Sequence, residues 1–142
     1  MTREEIESRL AQRLGTDEFR GIVAAYLFGS EAEARPHTES DVDVGVLLDH
    51  RCFPGARERF DQRLILSSRL AGAAGSRRID LVILNDVPPQ FARRIVTSGL
   101  RFFCSDADVE HAFVRDVQLR AADLEPFLRR MRRIKLESLG RA

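Results

Sequence analysis

The sequence predicts an α/β fold: a mixed sheet of about four strands flanked by helices, with a C-terminal helical segment. Apolar runs with strand character recur along the 142-residue chain and alternate with stretches of helical periodicity. Their order, helix–strand–strand–helix–strand–helix–strand–helix, is typical of helices packed on a sheet. No stretch has the composition of a linker, and the length is ordinary for one domain, so we expect residues 1–142 to form a single domain.

The first helix and the first two strands come from the N-terminal third of the chain. Thr2 and Glu5 form a capping-box pattern, and apolar residues then recur every four positions up to a glycine stop: Ile6, Leu10, Leu14 and Gly15. The run Ile22–Phe28 is almost continuously apolar, which predicts a strand buried on both faces. Residues 31–39 are polar and are interpreted as a helical turn and loop, and residues 41–48 as the second strand.

A second helix and a third strand are predicted in the middle of the chain. The helix is expected over about residues 55–74, with Gly75 as its end, from the spacing of Phe60, Leu64, Leu70, Ala71 and Ala74. Residues 78–84 are expected to form the third strand. Asp86 is then expected to cap a short helix with Pro88 and Pro89 in its first turn, where proline is tolerated.

The last predicted elements are a short strand and a long helical segment. Gly99 is expected to end the short helix, and Leu100–Cys104 is predicted as the fourth strand. From residue 105 the pattern is helical almost to the end. Pro126 is expected to kink or split this segment, because proline removes a backbone donor and clashes with the preceding turn.

Composition excludes several classes of function. The chain carries 23 basic and 22 acidic residues, a net charge of +1, so bulk charge gives no reason to expect direct nucleic-acid binding. We see no signal-peptide core and no apolar run of transmembrane length. Two cysteines, Cys52 and Cys104, are too few for a disulfide scaffold. We therefore expect a cytoplasmic protein with no membrane association.

Three acids mark the beginnings of two predicted strands. Asp41 and Asp43 lie at alternate positions, so their side chains point to the same face, and Asp80 stands at the start of the third strand in a similar position. If these strands are neighbours, three carboxylates converge at one end of the sheet. Two carboxylates about 4 Å apart repel by roughly 4 kcal/mol at an effective dielectric near 20. Such a cluster calls for a cation, and oxygen ligands without histidine or cysteine suit Mg²⁺.

Gly29 and Ser30 follow the first strand and complete the pattern. A strand that turns at glycine into a helical start presents backbone N–H groups that bind phosphate oxygens, and the Ser30 hydroxyl adds a donor. Each feature alone is more often an ordinary turn or strand start. Together they describe a nucleoside-triphosphate site: Gly-Ser after a strand, ten residues, Asp-x-Asp on the next strand and a third acid on a later one.

This spacing resembles the signature of the polymerase-β-like nucleotidyltransferase superfamily. The short chain is most similar to its minimal members, the MNT antitoxins of HEPN/MNT pairs. The resemblance implies that three acids bind two Mg²⁺ ions and carry the catalysis, and that Gly-Ser and the serine before the first acid hold ATP. In this sequence the acids are Asp41, Asp43 and Asp80, and the nucleotide-binding residues are Gly29, Ser30 and Ser40.

The resemblance also implies an activity and a partner. An acceptor hydroxyl attacks the α-phosphate of ATP, pyrophosphate leaves, and two metal ions steady the attacking and leaving oxygens. In the family the acceptor is a tyrosine of a separate HEPN-domain RNase toxin, which AMP silences. Four arginines could offset phosphate charge, and the sequence does not select among them: Arg77, Arg78, Arg93 and Arg94.

Two other functions remain open from the sequence. One is nucleotidyl transfer to a small molecule, although the roughly forty residues after Phe103 are few for the added acceptor domain. The other is a degenerate transferase that neutralises its partner by binding alone. Many relatives carry Arg directly after Gly-Ser and Gly three residues later, where this chain has Glu31 and Ala34.

The C-terminal stretch FLRRMRRIKLESLGRA also has two interpretations. Phe127, Met131 and Ile134 follow helical spacing, so one expectation is a helix docked on the core with a solvated basic face. The alternative is a surface for an acidic partner or RNA.

Overall fold

A computed structural model of the chain describes residues 1–16, 20–29 and 41–140. It contains the predicted elements in the predicted order, which confirms the α/β fold. The strands are β1 (Ile22–Phe28), β2 (Val42–Leu48), β3 (Ile79–Ile83) and β4 (Leu100–Cys104). The helices are α1 (Arg3–Leu14), α2 (Ala56–Leu70), α3 (Pro89–Ser98) and α4 (Ala107–Gly140).

The four strands form one mixed sheet in the order β3-β2-β1-β4. β1 pairs antiparallel with both β2 and β4, whereas β3 runs parallel to β2. A parallel pair needs a crossover connection, and α2 supplies it between β2 and β3. β1 and β2 occupy the centre of the sheet and are buried on both faces, which agrees with the continuous apolar run of β1.

Helices cover both faces of the sheet and create two apolar cores. On one face, α1 and α2 pack against alternate residues of β2, including Val44 and Val46. On the other face, Ile95 of α3 and Phe113 of α4 pack against a second set that includes Tyr26. The capping box of Thr2 and Glu5 is present at the start of α1, so its N-terminus is satisfied as predicted. The second core lies on the sheet face that also carries the acids.

α2 is shorter than predicted. It ends at Leu70, because Ala71 leaves helical geometry with ψ of 135° and Gly72 follows in the left-handed region with φ of +84°. Two of the apolar residues whose spacing predicted this helix, Phe60 and Leu64, are about half exposed. They lie six and two residues before the buried Leu66, which turns them towards the opposite side of a helix with 3.6 residues per turn.

Asp86 does not cap α3, contrary to the prediction. Pro88 occupies the N-cap position and no side chain caps this end of the helix. The Asp86 carboxylate instead accepts hydrogen bonds from Arg59 Nε at 2.9 Å and from Arg59 Nη2 at 2.8 Å. This ion pair ties α2 to the loop before α3. Pro89 begins the helix and Gly99 ends it, as expected.

The C-terminal segment is not split at Pro126. It forms a single helix, α4, of 34 residues. The side chains of its second half are largely exposed. Phe127, Met131 and Ile134, which were expected to dock on the core, are 54%, 48% and 52% exposed, so that prediction was wrong. Within the described part of the chain, none of the helices combines the length and the apolar character needed to cross a bilayer.

Candidate active site

The acids lie on one face of the sheet, at one end of two neighbouring strands. In the parallel pairing of β2 with β3, Asp43 stands directly beside Asp80, and in the antiparallel pairing with β1 it stands beside Phe28. Asp41 immediately precedes β2 and is exposed. Since side chains two residues apart share a face, Asp41 and Asp43 point to the side covered by α3 and α4. The expected adjacency of the second and third strands is therefore present.

The charges of the three acids act on one another. Burial raises the pKa of the Asp43 carboxyl above its usual value, and the charges of Asp80 and Asp41 raise it further. This is the direction that like charges produce, because a neighbouring carboxylate disfavours ionisation. A cation bound beside Asp43 would instead lower the pKa of its carboxyl, because an opposite charge favours ionisation. Among the described residues, however, no three histidine, cysteine or acidic side chains converge closely enough to form a ready-made metal site.

Gly29 is fitted to the carboxylate of Asp43. Gly29 has φ of +71°, a conformation that residues with a Cβ rarely adopt. A Cβ at this position would lie 3.3 Å from Asp43 Cγ and would overlap Oδ2 of the same carboxylate. The sequence suggested that glycine is needed here so that phosphate can approach. The structure adds a second reason, since the acid itself occupies the space that a side chain would take.

We expect Gly29→Ala to destabilise the fold more than Gly72→Ala does. Gly72 also has a positive φ, of +84°, but a Cβ there meets no atom within 4 Å. Gly72→Ala therefore reports the conformational cost alone, about 1 to 2 kcal/mol. Gly29→Ala adds the clash with Asp43, which costs about 1 to 3 kcal/mol more. Urea unfolding of both variants measures the difference, and equal losses would show that Asp43 moves aside without cost.

A cavity of about 280 Å³ opens beside Gly29 and is walled by β1 and α3. Phe28 and Phe91 line it and contact each other edge to face, with ring centroids 5.7 Å apart. Arg94 also lines this cavity, whereas Arg93 does not. Of the four arginines that the sequence left undistinguished, the structure therefore places Arg94 next to the glycine turn. No sequence signal could have made this choice, because it depends on how α3 packs on β1.

The other residues predicted from the sequence fall outside the described residues. These are Ser30 and Ser40, predicted to bind nucleotide, together with Glu31 and Ala34.

Comparison with known protein families shows to which family the chain belongs. The model of the family "Polymerase beta, Nucleotidyltransferase" matches residues 11–108, which include β1, β2, β3 and β4. The chain belongs to this nucleotidyltransferase family. The resemblance predicted from the Gly-Ser and Asp-x-Asp spacing is thereby confirmed.

One curated protein and several solved structures are similar to this nucleotidyltransferase. The protein adenylyltransferase MntA of Shewanella oneidensis is 28% identical over 109 residues, covering 75% of this chain and 72% of MntA. A chain of a toxin–antitoxin crystal structure with AMP-PNP superposes with a TM-score of 0.62 at 22% identity, covering 88% of this chain and 97% of that one. A chain from the complex of the tri-AMPylated Shewanella oneidensis HEPN toxin with its MNT antitoxin gives 0.57 at 20% identity, covering 92% and 98%. These structures share the fold.

Proposed function

We propose that this nucleotidyltransferase is an antitoxin that transfers AMP from ATP to a tyrosine of a HEPN-domain toxin. The observation that carries the proposal is the position of Asp43, which stands beside Asp80 in the sheet and against the glycine turn at Gly29. Two of the acids that we assign to metal binding and the glycine turn that we assign to phosphate binding thus lie next to one another. MntA of Shewanella oneidensis, to which the chain is 28% identical, is a protein adenylyltransferase. We expect the same reaction here, in the cytoplasm.

The donor set at the acids fits Mg²⁺. Asp41, Asp43 and Asp80 offer carboxylate oxygens on one face, which is the ligand type that this ion prefers. Two bound Mg²⁺ ions would supply charge neutralisation for the attacking and leaving oxygens. We assign to Asp80, on the outer strand β3, the role of accepting the proton of the acceptor hydroxyl or of helping to hold a metal ion. The raised pKa of Asp43 shows that its surroundings favour neutralisation of its charge.

The residues around the small cavity are assigned to the nucleotide. Gly29 leaves backbone exposed at the end of β1, where a phosphate oxygen can approach. Arg94 contributes a guanidinium in the same cavity, and guanidinium groups pair well with phosphate. Phe28 and Phe91 give the cavity an apolar wall. In this arrangement we expect a bound nucleotide to lie between the guanidinium of Arg94 and the acid face.

The experiment that tests the proposal is intact mass spectrometry of the toxin. We expect a neighbouring gene to encode a HEPN-domain protein, and this protein to gain one or more adenylyl groups after incubation with the wild type, ATP and Mg²⁺. Asp41→Asn keeps the shape of the side chain but removes a metal-binding charge, so the toxin should then keep its unmodified mass. Peptide mapping should place the modification on a tyrosine.

Two results would contradict this function. If the wild type and Asp41→Asn silence the toxin equally and neither adds mass to it, the chain acts by binding alone and is a degenerate transferase. If labelled AMP appears on a small molecule and not on the toxin, the acceptor class is wrong.

A further inference from the structure

A large groove separates α3 from the second half of α4. Its volume is about 910 Å³. The α4 wall presents four apolar side chains on successive turns: Leu128, Met131, Ile134 and Leu139. Met131, Ile134 and Leu139 are each about half exposed or more. The part of α4 from Glu125 to Leu139 is roughly 22 Å long at 1.5 Å per residue, which is enough to contact about four turns of another helix.

The groove is positively charged as well as apolar. Arg93 and Arg94 line it from α3, and Lys135 lines it from α4. Among the described residues, no acidic side chain pairs with any of these three. Glu125, an acid at the same groove, already accepts hydrogen bonds from Arg129 at 3.2 Å and from Arg132 at 3.0 Å. An occupant would therefore meet apolar surface flanked by uncompensated positive charge.

The groove leads to the candidate active site. Arg94 and Ser98 line both the groove and the small cavity beside Gly29. A protein segment lying in the groove is thus held next to the place where the nucleotide is proposed to bind. Proximity of this kind raises the rate of a reaction between two bound partners.

We propose that this groove is the docking surface for an acidic amphipathic helix of the protein that accepts AMP. The proposal rests on the proposed function and names the partner-binding surface of that site. Apolar residues of the docked helix would pack on Met131 and Ile134, as amphipathic helices do in apolar grooves. Its acidic residues would pair with Arg93 and Lys135.

Charge distinguishes this occupant from a second copy of the chain. Residues 124–140 contain five basic and two acidic residues. Two copies paired through this surface would bring like charges together, which is destabilising in a contact of low dielectric. RNA would satisfy the positive charge but would leave the apolar stripe of α4 exposed to water. An acidic helix satisfies both features.

The first test substitutes one apolar residue of the groove. In Ile134→Glu a negative charge enters the apolar stripe, and we expect the Kd for the HEPN-domain protein to rise at least about tenfold. The matched control is Leu136→Glu, which makes the same change at a residue that is 69% exposed and does not line the groove. The control should bind as the wild type does, and both variants should bind Mg-ATP normally by calorimetry.

The second test examines charge. Arg93→Glu should weaken the complex and reduce the salt dependence of its association rate, because charge complementarity acts mainly on association. The matched control is Arg130→Glu, since Arg130 is exposed on α4 but does not line the groove. If both arginine variants bind the HEPN-domain protein equally well, an acidic helix does not occupy the groove.

The results of these tests distinguish a failure of the proposed docking surface from a failure of the proposed transferase function. If Ile134→Glu weakens the complex but the wild type adds no AMP, docking stands and the transferase function fails. If Ile134→Glu binds and modifies the toxin as well as the wild type does, docking fails and the function stands. Three further results would overturn the proposal: no complex with the wild type, a wild-type dimer that Ile134→Glu dissociates in ultracentrifugation, or groove-dependent binding of RNA in place of the toxin.

Discussion

Asp43→Asn is expected to reduce AMP transfer by more than about 100-fold while the fold stays intact. Asn has nearly the same shape as Asp, so the packing against Gly29 is kept. The substitution removes a negative charge from the acid face shared with Asp41 and Asp80, and with it a proposed ligand for Mg²⁺. Metal ions contribute several kcal/mol of transition-state stabilisation, and each 1.36 kcal/mol lost lowers a rate about tenfold.

The same substitution should not destabilise the protein when metal is removed. Burial raises the pKa of Asp43, and repulsion from the charges of Asp80 and Asp41 raises it further. Asp43→Asn relieves this repulsion, so in chelator its melting temperature should equal or exceed that of the wild type. Added Mg²⁺ with ATP should raise the melting temperature of the wild type much more than that of the variant, because ligands that bind the native state stabilise it.

Asp61→Asn is the matched control for this experiment. Asp61 is an exposed acid on α2, so the variant makes the same chemical change away from the acid face. Its transfer rate, measured with labelled ATP and the toxin, should match that of the wild type. Undiminished transfer by Asp43→Asn would mean that Asp43 is an ordinary residue of a strand.

The second large effect concerns a buried ion pair that fastens α4 to the sheet. Glu110, 2% exposed, accepts hydrogen bonds from the Tyr26 hydroxyl of β1 and from Arg101 of β4. Burial and the hydrogen bond to Glu110 raise the pKa of Tyr26 well above its usual range, so its hydroxyl remains a donor. Three elements therefore meet at one carboxylate. Since α4 forms one wall of the groove, this contact also positions the proposed docking surface.

Arg101→Ala is expected to lower the free energy of unfolding by about 3 kcal/mol. Removing one partner of a buried ion pair leaves the other charge uncompensated, at a cost of about 3 to 5 kcal/mol. We expect the lower end of this range because the Arg101 side chain is 47% exposed, and water weakens its interaction with Glu110. Urea unfolding monitored by circular dichroism measures the loss.

The control is the exposed pair of Arg120 with Asp116 on α4. These side chains are 67% and 53% exposed, with Nε and Oδ2 3.1 Å apart. Arg120→Ala should cost only about 0.3 to 0.5 kcal/mol, the usual value for an exposed pair four residues apart on a helix. If Arg101→Ala costs no more than Arg120→Ala, then Glu110 does not depend on Arg101 for compensation of its charge.

The local features of this fold could be predicted from the sequence. The capping box at Thr2, the strands Ile22–Phe28 and Leu100–Cys104, and the end of α3 at Gly99 were all predicted at the positions where they occur. Each depends on residues close together in the chain: a side chain that caps its own helix, or a continuous apolar run. The spacing from Gly29 to Asp43 likewise sufficed to identify the family, because it joins two consecutive strands.

Sequence patterns did not decide which faces became buried. Phe127 and Ile134 have the spacing of a core-docked helix, yet in the structure both are about half exposed. Asp86 has the pattern of a helix cap but pairs with Arg59, which is 27 residues away in the chain. Periodicity states which residues share a face of a helix. Whether another element covers that face depends on the length and direction of its neighbours.

The sequence by itself therefore determined the order of the elements, the family and the acids of the candidate site. Only the tertiary structure placed Asp80 beside Asp43, fitted Gly29 to the Asp43 carboxylate, and brought Arg94 next to the glycine turn. The reason is physical. Alternation along a strand sets the direction of a side chain within its own strand, whereas its neighbours across the sheet are set by strand order and register. Strand order and register depend on how the helices, including α2 and α3, pack against the strands.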